Sequence, residues 1–170
     1  MTSAELLQDA FDRIRGVVHQ AVDGLVHDDL AWRPDPEANS IAWLVWHLTR
    51  IQDDHVAGVA GREQVYVADG WAERFGLPFD DTEIGYGQDA AAVAAVRVES
   101  GELLTGYYDA VHQQTVDYVR TITDPDLDRI VDRSWDPPVT LGVRLISVIS
   151  DDLQHAGQAG YLRGLLQRRS

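Results

Sequence analysis

Apolar residues recur at steps of three or four in four long segments of this chain, which is the spacing of one helical face. The segments span residues 3–30, 41–59, 89–122 and 140–167, and the alternation typical of strands is weak throughout. In the first segment the apolar stripe consists of Leu6, Ala10, Ile14, Val17, Ala21 and Leu25. Four such segments predict an all-α protein, folded as a four-helix bundle with the stripes facing inward.

Capping and turn residues mark the ends of the predicted helices. Ser3 is the expected N-cap of the first helix, Asn39 or Ser40 can cap the second, and Gly61 is expected to end it. Residues 61–87 then form a long, glycine-rich connection with four aromatic residues, Trp71, Phe75, Phe79 and Tyr86. Because so long a connection is unusual in a bundle unless it covers something, we expect it to pack over the bundle as a lid.

Composition narrows the classes of function. The 170 residues fit a single domain, residues 1–170. With 14 basic and 28 acidic residues the net charge is −14, which disfavours binding to nucleic acid and to anionic membranes. We find no signal peptide and no apolar run of the roughly 18 residues that a membrane helix needs, so we expect a cytoplasmic protein.

The absence of cysteine restricts the chemistry further. With no cysteine in the chain, disulfides, thiolate metal sites and a cysteine nucleophile are all excluded. A metal ion would have to be held by histidine, aspartate or glutamate side chains. The sequence also lacks the glycine-rich motifs of nucleotide-binding proteins, the GxSxG motif of hydrolases and the HExxH motif of zinc proteases.

Three residues of the second and last helices form a candidate metal site. His47 lies in an apolar stretch, and Asp151 and His155, four residues apart, share one face of the last helix. Asp151 continues the apolar line of that helix, so we expect it to project into the bundle. If the two helices adjoin, the three side chains could hold one divalent ion with coordination positions left open for a ligand. The alternative is a packed histidine beside a surface Asp–His pair.

Two further residues are candidates for binding a cofactor or substrate. Gln158, three residues after His155, could orient the imidazole or contact a ligand. Arg144, seven residues before Asp151, could bind a substrate carboxylate, or pair with Asp152 or another surface acid.

The remaining polar residues near these faces have simpler interpretations. Asp54, two turns beyond His47, could contact a ligand residue or serve as an additional ligand, and His55 is as consistent with solvent exposure as with a role in the site. Structural roles are expected for the three other histidines, His19, His27 and His112.

Three segments carry a resemblance to a known superfamily. Residues 41–55 and 151–164 resemble the second and last helices of DinB-like proteins, and residues 135–145 are similar to an actinobacterial DinB-like subfamily. The resemblance covers essentially the whole chain. It implies a DinB-type four-helix bundle with a long connection between helices two and three, and a homodimer.

The same resemblance implies a metal site. Many members of the superfamily hold a divalent metal, zinc or nickel, and the usual ligands are a histidine of helix two and a His-x₃-His pair of the last helix. His47 and His155 match two of these ligands, whereas Asp151 stands where histidine is more common. In this it is similar to the mycothiol-dependent maleylpyruvate isomerase branch, which has a carboxylate there. Characterised members are transferases or isomerases that use the thiols mycothiol or bacillithiol.

Three hypotheses for function follow. The first is a metal-dependent thiol S-transferase that uses a mycothiol-type thiol, takes an electrophilic small molecule as substrate, and has His47, Asp151 and His155 as metal ligands. The second is a non-catalytic DinB-like binding or stress-response dimer, with a structural metal or none and a dimer contact formed by Gly157, Gly160 and Gly164. The third is metal-assisted hydrolysis, which uses the same ligands without a thiol.

Overall fold

The computed structural model describes residues 1–169 and consists mainly of helices. The eight α-helices are α1 (Ser3–Val22), α2 (His27–Ala31), α3 (Ile41–Ala60), α4 (Val65–Ala68), α5 (Trp71–Phe75), α6 (Ala90–Ala95), α7 (Gly101–Val119) and α8 (Leu141–Leu166). A 3-10 turn (Asp124–Asp128) and two short antiparallel strands, β1 (Ile130–Asp132) and β2 (Val139–Thr140), complete the fold. The predicted all-α fold is therefore confirmed.

The four long helices form the bundle in the cyclic order α1, α8, α3, α7. Helix α3 is its most buried member, since every residue from Ile41 to Asp53 is buried. The long connection between α3 and α6 packs against both α3 and α7. Because α3 and α8 pack along one another, residues of the two helices can face a shared site. This is the condition that a metal site formed by His47, Asp151 and His155 depends on.

The stripe predicted for the first helix is displaced by one position. Leu6 is exposed and Leu7 is buried, and the buried face of α1 continues through Phe11, Ile14, Val18, Ala21 and Val22. Phe11 and Val18 determine this face. Burying these two side chains removes more apolar area from water than burying Ala10 and Val17, which belong to the predicted stripe. The N-cap is Thr2, whose hydroxyl accepts from the backbone N–H of Glu5, and not Ser3.

Two predicted helices are interrupted. The first ends at Val22, because Gly24 adopts a left-handed conformation with φ of +69°. In the third, residues 96–100 separate α6 from α7. The two interruptions meet in an isolated β-bridge between Val26 and Ser100, so each supplies the backbone partner that the other lacks.

The connection after α3 packs largely as predicted. Trp71 and Phe75 are buried against Tyr107 of α7, and the ring of Phe79 lies 5.8 Å from that of Trp46. Tyr86 is an exception, because it is 86% exposed. The helix ends predicted at Ser40 and Gly61 are both observed. Within residues 1–169, none of the helices combines the length and the apolar character that crossing a membrane requires.

Candidate metal centre

The structure brings His47, Asp151 and His155 together. Helix α3 supplies the first and α8 the other two, and one ligand atom from each lies within 4.8 Å of the others. The centroids of the two imidazole rings are 4.9 Å apart, and Nε2 of His155 is 3.6 Å from Oδ1 of Asp151. His47 is buried, whereas Asp151 and His155 are half-buried at the edge of the bundle. Ligand atoms thus face a common point that is accessible from one side.

His47 is held by the connection that covers α3. Its Nδ1 lies 2.5 Å from the backbone oxygen of Ile84. Because a carbonyl oxygen only accepts hydrogen bonds, Nδ1 carries the proton and Nε2 keeps its lone pair. Trp43 stacks on the imidazole at 4.6 Å, and the indole N–H of Trp43 donates to Gln88 at 2.8 Å. Burial lowers the pKa of His47, which favours the neutral form that a metal requires.

His155 is oriented by two neighbours on its own helix. Its Nδ1 is 2.9 Å from Oε1 of Gln158, so an N–H at this position directs Nε2 towards Asp151. The contact with the Asp151 carboxylate raises the pKa of His155, and the hydrogen bond with Gln158 acts in the same direction. A metal ion that binds to His155 takes the place of the proton that the Asp151 carboxylate otherwise stabilises on the imidazole.

The donor atoms fit a divalent cation. Among residues 1–169, Oδ2 of Asp151 is buried and has no hydrogen-bond donor. A carboxylate oxygen without a donor is unfavourable inside a protein unless a cation balances it. Two imidazole nitrogens and one carboxylate oxygen are a ligand set of catalytic zinc sites, and imidazole also suits nickel. The three residues are therefore able to hold such an ion.

The expectation that Asp151 projects into the bundle is only partly met. The side chain of Asp151 keeps 33% of its accessible surface, whereas the next residue, Asp152, is completely buried. Neither carboxylate oxygen of Asp152 has a hydrogen-bond partner within residues 1–169. Burial, and secondarily the charge of Asp151, raises the pKa of Asp152 well above its usual range. Asp152 is therefore a buried acid that favours its neutral form.

Replacing Asp152 by asparagine is expected to stabilise the metal-free protein in a pH-dependent manner. The folded-state pKa is raised, so the wild type loses stability as the pH rises above the pKa of the unfolded carboxyl. An amide has no ionised form and avoids this loss. We expect the free energy of unfolding of D152N to exceed that of the wild type by about 2 kcal/mol at about pH 8, and by much less near pH 4.

Urea unfolding of the chelator-treated proteins at both pH values measures this difference. D54N is the comparison variant, because hydrogen bonding to His55 lowers the pKa of Asp54. Asp54 therefore adds stability above its unfolded pKa, and D54N is expected to lose stability at high pH. An equal effect of D152N at both pH values would contradict the interpretation of Asp152 as a buried acid.

Arg144 and Asp54 lie in a separate cluster next to the metal centre. Arg144 binds Asp132 at 2.9 Å, and not Asp152, and its second nitrogen lies 3.5 Å from His55. Asp54 lies 3.0 Å from His55 and is not among the three grouped ligands in the described part of the chain. These residues line a cavity of about 590 Å³ together with Arg129, two turns from the ligands along both helices.

The other histidines bind groups outside the metal centre. His19 pairs with Asp109 and His112 with Asp12, both between α1 and α7, and His27 contacts the backbone oxygen of Val98. The sequence did not predict the contributions of Ile84, Gly85 and Gln88. Ile84 acts through its backbone oxygen, which residue type does not reveal, and Gly85 is recognisable only as a loop glycine and not as a contact of His47. Gln88 had no spacing relation to the helices.

Comparison with known proteins agrees with the fold. A family model described as mycothiol S-transferase matches residues 6–168. Among curated proteins, none matches the chain. A solved structure, that of a conserved protein of Enterococcus faecalis, shares 28% sequence identity with a TM-score of 0.92, over 99% of each chain. The chain therefore belongs to the mycothiol S-transferase family, which is DinB-like, as the sequence resemblance indicated.

Proposed function

We propose that this protein is a divalent-metal-dependent S-transferase, which joins a mycothiol-type thiol to an electrophilic small molecule. His47, Asp151 and His155 are the proposed ligands, and zinc or nickel is the proposed ion. The observation that carries the proposal is the grouping of one ligand atom from each residue within 4.8 Å of the others, beside an Asp151 carboxylate whose Oδ2 has no hydrogen-bond donor among the described residues. Membership of the mycothiol S-transferase family supports the same reaction class.

The chemistry of the reaction follows from this ligand set. The chain contains no cysteine, so the nucleophilic sulfur comes from the co-substrate. A divalent ion at this position supplies the positive charge that keeps a thiol deprotonated at neutral pH. In the transfer a bond forms between sulfur and the electrophilic carbon, the bond to the leaving group breaks, and the thiol proton is released. His47 presents an unprotonated Nε2, His155 would give up the proton that Asp151 favours when an ion binds, and Trp43 shields one side of His47 from water.

Two cavities lie along α3 and α8 in opposite directions from the ligands, and neither is lined by His47, Asp151 or His155. Arg144 lines the cavity of about 590 Å³ described above, whose other charged side chains are Asp54, Asp132 and Arg129. Gln158 lines a smaller cavity of about 180 Å³ on the opposite side. We propose that Arg144 and Gln158 contact the thiol, because a polar thiol needs hydrogen-bonding partners of this kind.

Elemental analysis of the purified protein tests the proposal. The wild type is expected to contain about one zinc or nickel ion per chain, and H155A to lose most of it. H112A is the matched control, since His112 is also a partly buried histidine paired with an aspartate but lies outside the site. Absence of metal from the wild type, even after incubation with zinc and nickel salts, would exclude this function.

A transfer assay separates S-transfer from hydrolysis. The metal-loaded protein is mixed with mycothiol and an alkyl halide that becomes fluorescent on reaction with a thiol. We expect the enzyme to accelerate the reaction, and H155A to abolish the acceleration. If the protein consumes an ester or halide equally fast without thiol, the reaction is metal-assisted hydrolysis and the transferase proposal is wrong.

We further propose a homodimer that forms through the outer face of α8. The uncharged character of this face also favours a binding role, which is the second candidate function. Between Val143 and Tyr161, all ten exposed residues of α8 are uncharged. They include four large apolar or aromatic side chains, Val143, Ile146, Leu153 and Tyr161. A side chain at Gly157 or Gly160 would meet nothing within 4 Å. An uncharged face suits a second copy of a chain with a net charge of −14, because it limits repulsion between the copies.

Replacing Leu153 by glutamate is expected to convert the dimer into a monomer. The wild type should elute with twice the chain mass of 18.9 kDa in chromatography with light scattering, and L153E with a single chain mass. L6E is the control, because Leu6 is at least as exposed as Leu153 but lies on α1. A monomeric wild type at all concentrations, or a dimeric L153E, would refute this interface.

A further inference from the structure

Arg50 is completely buried in α3, three residues after His47. Its guanidinium donates four hydrogen bonds, and two of the acceptors are backbone oxygens of the connection after α3. The acceptors are the backbone oxygens of Asp81 (2.8 Å) and Glu83 (3.0 Å), Oε1 of Gln64 (2.8 Å) and the hydroxyl of Tyr107 (3.3 Å). Most donors of the guanidinium are thus used, and half of these bonds fix the path of the segment 81–83.

Asp53 anchors the start of the same connection. Its carboxylate accepts from the backbone N–H groups of Val65 and Tyr66 at 2.9 and 2.8 Å, and from the hydroxyl of Tyr107 at 2.8 Å. It also lies 3.7 Å from the Arg50 guanidinium. The network formed by Arg50, Asp53 and Tyr107 therefore attaches both the beginning and the end of the connection to α3.

The residue that follows this attachment contacts His47. The carbonyl of Ile84 comes directly after that of Glu83 and is the acceptor for Nδ1 of His47. Gly85 then turns the chain away with φ of +89°, and a methyl group there would lie 2.6 Å from Nδ1 of His47. The segment 81–85 therefore rests directly on the imidazole, and Arg50 holds it in that position.

We propose that Arg50 is a positioning residue for His47. By binding the carbonyls of Asp81 and Glu83, Arg50 keeps the Ile84 carbonyl against Nδ1, and so fixes the tautomer in which Nε2 is unprotonated and faces Asp151 and His155. The consequence for metal affinity rests on the proposed function, whereas the effect on the tautomer concerns the metal-free chain alone. Only an arginine supplies this set of donors, since a lysine ammonium is a single point that cannot reach both carbonyls and Gln64 together.

Nitrogen NMR of the metal-free protein provides the test. Long-range proton–nitrogen correlations distinguish the two tautomers of each histidine, and the spectrum of H47Q assigns the His47 signals by their absence. We expect the wild type to show His47 protonated at Nδ1. Two variants should add the Nε2-protonated form: R50K, which keeps the charge opposite Asp53, and the charge-neutral double variant R50M/D53N. Zinc dissociation constants of the same proteins are expected to rise about tenfold or more.

R33M is the matched control. Arg33 also binds backbone carbonyls, those of Pro36, Ala38 and Ala90, but does not contact His47 or the segment 81–85. The R33M protein is expected to lose stability without a change in the tautomer of His47. His47 protonated at Nε2 in the wild type, or an unchanged tautomer in a folded Arg50 variant, would overturn the inference. If the wild type binds no metal, the proposed function fails, but the tautomer populations still decide the role of Arg50.

Discussion

Replacing Gly85 by alanine is expected to weaken zinc or nickel binding by about 10- to 100-fold, the range observed when contacts behind a metal ligand are lost. The new methyl group would lie 2.6 Å from Nδ1 of His47 and 3.1 Å from the ring of Trp46. Because α3 is fully buried there, the imidazole cannot retreat, and the segment that carries the Ile84 carbonyl must move away instead. His47 then loses the hydrogen bond that fixes its tautomer.

The matched control for this prediction is G87A. Gly87 has a similar left-handed conformation, with φ of +74°, but nothing lies within 4 Å of a side chain there. Both substitutions are expected to cost about 1 kcal/mol of stability through backbone strain. Only G85A should also change the dissociation constant of the metal, measured by competition with a chromophoric chelator. Equal metal affinities in the two variants would show that contact with His47 is unimportant.

Replacing Asp53 by alanine is expected to cost about 3–5 kcal/mol of stability, the range for removing one partner of a buried ion pair. The change leaves the buried Arg50 guanidinium without its only carboxylate within 4.0 Å among the described residues. It also deprives the backbone N–H groups of Val65 and Tyr66 of their acceptor. Each of these groups is shielded from water, so no solvent hydrogen bond replaces the lost one.

The neighbouring residue provides the control. Asp54 binds Gln64 and His55, but 35% of its side chain is accessible and water can replace both contacts. D54A is therefore expected to cost no more than about 1 kcal/mol. Urea unfolding followed by circular dichroism measures both values. A loss in D53A as small as that in D54A would mean that the network around Arg50 does not hold the connection.

The sequence was sufficient to predict the bundle and the group of three side chains that could hold a metal ion. Four helical patterns predict four long helices, and the spacing of Asp151 and His155 places both on one face wherever the helix lies. No local pattern in the sequence predicts that α3 and α8 are neighbours. Only the DinB-like resemblance indicated this. The structure now brings His47 to the other two residues.

Other features depend on tertiary contacts that residue type does not reveal. The interruptions after Val22 and before Gly101 stabilise each other through the bridge between Val26 and Ser100, which are distant in sequence. Burial of Asp152 beside the more exposed Asp151 departs from the usual exposure of acidic residues, so composition argued against it. The Ile84 carbonyl is a backbone group, and every residue has one.

The position of Gln158 has a thermodynamic consequence for the whole protein. This side chain belongs to the exposed, uncharged face of α8 and also contacts Nδ1 of His155. Association of two copies through that face would restrict Gln158, and the restriction would in turn favour one orientation of His155. Ion uptake and self-association are then linked equilibria, so each shifts the other by the same free energy. If the orientation favoured in the dimer is the one that binds the ion, the apparent ion affinity of the protein rises with protein concentration as the dimer fraction grows.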